Sequence, residues 1–86
     1  MDDKKTARAF AGMVGAMAAN DTIVHLAAML AKKGALGLNE LEVLRHLQLR
    51  PFDEALAATK NQAALQIVHD DRERLDRVWQ AAIQNL

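Results

Sequence analysis

The chain has no cysteine and no tyrosine among its 86 residues, and no serine either. Without cysteine there is no disulfide framework, no thiolate metal site and no thiol nucleophile. With serine and tyrosine also missing, the hydroxyls left for nucleophilic chemistry are Thr6, Thr22 and Thr59, none beside a recognisable base. Aromatics make up 3% of the chain and β-branched residues are scarce, so strands have little to build on. A single proline, Pro51, and four glycines leave few helix breakers. No apolar run reaches the ~18 residues a membrane-spanning helix needs.

Charge of one sign is missing too. Eleven basic and eleven acidic side chains cancel, and each half of the chain is separately balanced. Gripping phosphates normally takes a basic excess on one face, so composition does not favour a nucleic-acid partner. The absent thiols fit a reducing compartment, and a cytoplasmic location is the expectation. Near the N-terminus, Lys4, Lys5 and Arg8 precede an apolar stretch containing Ala16-Met17-Ala18, which mimics a secretory leader. The stretch lacks Leu and Ile, holds two glycines and follows two acidic residues, so an ordinary first helix is the better reading.

What is present is helix-forming: Ala, Leu, Glu, Lys, Gln and Arg dominate. The chain reads as one all-α domain, residues 1–86, built as a four- or five-helix bundle. A first helix spans about Asp3 to Ala19, with Phe10, Met13, Val14 and Met17 as its apolar stripe. Ala7, Ala11, Gly15 and Ala18 beside the stripe suit close approach of a neighbour. Asn20 or Asp21 can cap a second helix, about 21–33, that Lys32, Lys33 and Gly34 close. Because apolar side chains from Ile23 to Ala31 surround it, this helix is expected to be buried at the centre of the fold.

Asn39 and Glu42 have capping-box spacing and start a third helix running to Gln48, with Leu41, Leu44 and Leu47 as its core face. Pro51 is expected to end it and open a fourth. A further break is expected near residues 59–62, where the apolar phase shifts and Asn61 can cap. The last helix carries Leu65, Val68, Arg72, Leu75, Trp79, Ala82 and Leu86 at alternating three- and four-residue steps, the spacing of a coiled-coil seam. Asp70–Arg74 and Glu73–Arg77 flank it as acid-first i,i+4 pairs.

Few constellations carry chemistry. His25, among Val24, Leu26 and Ala28, reads as a core histidine. His69 and Glu73, one helical turn apart with Asp70 nearby, could begin a metal site, and completing it would require His25 and His46 to come together with them. Gly34-Ala35-Leu36-Gly37 has a GxxG form but no basic residue within it, and a helix stop followed by a turn explains both glycines. No catalytic residue, metal or cofactor is assigned, and the chain is not expected to be an enzyme. The function expected is binding: an adaptor, a small regulator or inhibitor, or a self-associating component, with another protein or a second copy as partner. The candidate contact residues are Val68, Arg72, Leu75, Trp79, Ile83 and Leu86, since Trp and Arg dominate interface hot spots. The alternative is a helix-turn-helix or winged-helix-like DNA-binding regulator using residues 40–60. It is weakened by Asp53 and Glu54 at the head of the would-be recognition helix.

Overall fold

The computed structural model describes the backbone of residues 3–86 and the side chains of residues 15–86. The described chain is three helices: α1 (Asp3–Lys32), α2 (Leu38–Ala58) and α3 (Gln62–Gln84), with no strand among the described residues. The all-helical expectation stands; the count of four or five helices does not.

Two expected breaks are absent. The first is at Asn20–Asp21, where α1 runs straight through. Of the two expected caps, Asp21 pairs with Arg74 of α3, and the neighbouring Thr22 Oγ1 donates back to the Ala18 carbonyl at 2.9 Å, as a residue inside a helix does. The inward-facing phase also runs on, because Met17, Asn20, Val24, Ala27 and Ala31, all buried or half-buried, continue one stripe at alternating three- and four-residue steps. The second is at Pro51, which lies inside α2. It has no N–H for the Leu47 carbonyl. Even so, Leu41, Arg45, Gln48, Phe52 and Ala55 keep a single face across it, and α3 lies along that face. With no turn at residues 49–51, the helix-turn-helix is not formed.

The remaining boundaries follow local chemistry. Gly34 takes φ 80°, and the Gly34 and Ala35 amides bond back to the Ala31 and Leu30 carbonyls at 3.0 and 2.9 Å, the paired bonds of a Schellman stop. Gly37, not Asn39, caps α2, and it does so without a side-chain bond, so the capping box is not formed. Between α2 and α3 the expected break is present: Asn61 caps α3, its side chain accepting from the Ala64 amide at 3.1 Å.

Short connections make sequential helices antiparallel neighbours, so α1 and α3 run in the same direction. Asp21 accordingly sits level with Arg74. The core is Val24 and Ala27 of α1, Leu41 and Leu49 of α2, and Leu75 and Trp79 of α3, flanked by Leu36, Leu44, Phe52, Val78 and Ile83. The radius of gyration is 15.1 Å, against ~12 Å for a compact chain of this length. The three dimensions are 51, 26 and 16 Å.

Candidate interaction surface

The expected contact residues on α3 divide between inside and outside. Trp79 is fully buried and Leu75 is 1% exposed, so both face the chain's own core. The Trp79 indole N–H donates to Gln48 Oε1 at 2.8 Å, and Gln48 in turn donates to the Asn20 carbonyl at 3.5 Å. One residue of α2 thus ties all three helices. Val68 and Ile83 are half-buried, the latter against the core cluster. Leu86 is exposed.

Arg72 is turned to α2, its Nε donating to Asp53 Oδ1 at 2.6 Å. That hydrogen bond, reinforced by the charges of Asp53, Asp76 and Glu73, holds its guanidinium above its ordinary pKa. A second bridge is more enclosed. Asp76, 7% exposed, accepts from Arg45 Nε at 2.6 Å and from Gln80 at 3.3 Å. The Arg45 hydrogen bond holds the Asp76 carboxyl below the usual carboxylate range, outweighing the opposing effect of burial. Arg45 also reaches Glu42 at 3.2 Å.

Arg74 grips both oxygens of Asp21, at 3.2 and 3.3 Å. Its expected local partner, Asp70, instead accepts from Gln66 at 2.8 Å. Glu73, expected to pair with Arg77, pairs with Arg72 at 3.3 Å. Arg72 and Arg74 reach across helix seams to Asp53 and Asp21 in place of the expected i,i+4 pairs, while Glu73 keeps a local partner in Arg72.

His25 is exposed rather than buried. It lines a shallow cleft of about 380 Å³ between α1 and α3, with Asp21, Lys32 and Asn85 on the rim and Ala28, Val78 and Ala82 among its apolar walls. Among the described residues no three His, Cys, Asp or Glu side chains converge as metal ligands. No described helix is long and apolar enough to cross a membrane.

The feature that sequence reasoning missed is on α1 and α2. The helix expected to be buried all round is covered on one side only. Ile23, Leu26, Met29 and Leu30 of α1, with Leu38, Val43 and Leu47 of α2, are 38–58% exposed. A three-helix arrangement offers each helix two neighbours, so a helix apolar on every side keeps an uncovered flank. Helical phase, about 100° per residue, locates that flank. On α1, Ile23, Leu26 and Leu30 centre roughly 160° from the groove-lining Asp21, His25, Ala28 and Lys32. On α2, Val43 and Leu47 centre roughly 140° from Arg45 and Asp53, which reach α3. Both stripes therefore lie on the side of the α1–α2 pair turned away from α3.

Gly15, expected to admit a close neighbour, has nothing within 4 Å of where a Cβ would stand, so its flank of α1 is open within the chain. The Phe10, Met13 and Val14 part of the expected stripe lies outside the residues whose side chains are described. No family model, curated protein or solved structure matches the chain.

Proposed function

We propose that the chain is a non-catalytic protein–protein interaction module working through the outer apolar face of α1 and α2. The observation that carries this reading is the set Ile23, Leu26, Leu30, Val43 and Leu47, large apolar side chains left exposed on one side of two adjacent helices. Scattered exposed leucines are ordinary, but contiguous apolar patches mark sites of association. On this reading α1 and α2 carry the contact surface, and the buried α3 residues Leu75 and Trp79 hold those helices in position.

Capture from the native host with immobilised protein tests this. The wild type and an Ile67→Gln control, altered at an exposed α3 position, are expected to recover the same partner. The double variant Leu26→Gln/Leu47→Gln is expected to lose it while keeping its helical circular dichroism. Recovery undiminished by the double variant would sink the assignment of this face.

A further inference from the structure

Gly12, Ala16, Ala19, Ile23, Leu26 and Leu30 succeed one another along α1 at alternating four- and three-residue steps. Such spacing makes a single seam, here about 27 Å long at 1.5 Å per residue. Its first three members are small and its last three are large. From Ala16 onward every member is exposed. Between Arg8 and Lys32 the helix carries one formal charge, Asp21, and that carboxylate is turned to Arg74 on α3. The seam is therefore uncharged along its length.

The small-then-large order selects a mate. Laid antiparallel with the twofold axis level with Asp21, two such helices set Leu30 opposite Gly12, Leu26 opposite Ala16 and Ile23 opposite Ala19. Symmetry repeats each pair on the other side. Every large side chain then meets a small one, and the helix axes can approach to about 8 Å, the close end of helix packing. A parallel pairing sets large on large and small on small, which crowds one end and leaves the other loose.

The geometry points to a second copy of this chain as the occupant of the face, docked antiparallel through the Gly12–Leu30 seam of α1, with Val43 and Leu47 flanking it. This rests on the interaction-module reading above and gives it a specific partner. The contact is isologous, so it closes at two copies.

Sedimentation equilibrium should give twice the chain mass of 9.5 kDa. Ala19→Leu fills the hollow that receives Ile23 and should weaken the dimer by at least about tenfold, with the monomer's circular dichroism intact because Ala19 is exposed. Register is read by oxidation, which the cysteine-free chain makes clean. A mixture of Ala16→Cys and Leu26→Cys chains should cross-link to each other faster than either does to itself. Faster self-cross-linking of Leu26→Cys would mean a parallel pair and overturn the proposal. So would a wild-type monomer at all concentrations, or a monomer that co-sediments with phosphatidylglycerol-containing vesicles. A monomer whose capture of another protein is lost with Leu26→Gln overturns the dimer alone and leaves the interaction module standing. A monomer whose binding ignores that substitution overturns both.

Discussion

The α2–α3 seam and the outer face of α1 and α2 are similarly rich in large apolar side chains, yet they end in opposite environments. Along the seam, Leu41, Leu49, Leu75 and Trp79 are each at most 3% exposed, and the polar residues among them are paired: Arg45 with Asp76, Arg72 with Asp53, Gln48 with Trp79. On the outer face Leu26, Val43 and Leu47 are each more than half exposed. Hydrophobic content alone does not decide burial. What decides it is whether the periodic stripe of one helix finds a second helix in phase, and three helices cannot cover a helix that is apolar all round.

That contrast can be broken most forcefully at Trp79. Trp79→Ala removes the largest fully buried side chain and leaves Gln48 Oε1 without its indole donor, and should destabilise by about 3–5 kcal/mol, read as a fall in the urea midpoint. A change under 1 kcal/mol would show that the seam is not the core. Next in size is Asp76→Ala, which leaves Arg45 without its principal partner and should lose about 2–4 kcal/mol, a range reduced for the partial exposure of Arg45. Asp76 also sets a pH dependence. Its carboxyl is held below its ordinary value in the folded chain by the Arg45 bond. Its stabilisation is therefore present above the unfolded pKa of about 3.9 and is lost as pH falls through the lower folded value. Denaturant midpoints measured downward from pH 5 should fall more steeply for wild type than for Asp76→Asn; parallel curves would remove Asp76 as the cause.

Smaller effects sharpen the same comparison. Asn61→Ala deletes the α3 cap and should cost about 1 kcal/mol, checked by thermal melting at neutral pH. Leu26→Gln/Leu47→Gln should move the stability of the dilute monomer by no more than about 0.5 kcal/mol, the usual range for surface changes. The same pair is the one expected to abolish association. A large loss of monomer stability from it would place these side chains in the core and erase the distinction.

Helical class, the Gly34 stop, the Asn61 cap and the α3 seam were all legible in the sequence, since each depends on chemistry within a few residues. Helix count was misread where punctuation and phase disagree. Asn20-Asp21 and Pro51 resemble boundaries, but the stripes Asn20–Val24–Ala27–Ala31 and Leu41–Arg45–Gln48–Phe52 run through or up to them without a shift. Packing against α3 along a continuous face outweighs a local preference for a cap or a break. The same disagreement conceals the exposed apolar face: with a fourth and fifth helix to cover them, Ile23, Leu26 and Leu30 would be interior. The partners of Asp21 and Asp53 lie 53 and 19 residues away, and no local rule supplies such pairings.

The two tight connections, Lys33–Gly37 and Thr59–Asn61, have a consequence in time. Joining sequence neighbours through a few residues means that most contacts close small loops, which places the chain among helical proteins that fold in microseconds to milliseconds. Collapse of a new chain is then fast compared with its encounters with other chains at modest concentration. An uncovered flank of leucine and isoleucine is thus first offered to the surroundings on a folded, correctly spaced scaffold, and recognition can precede aggregation.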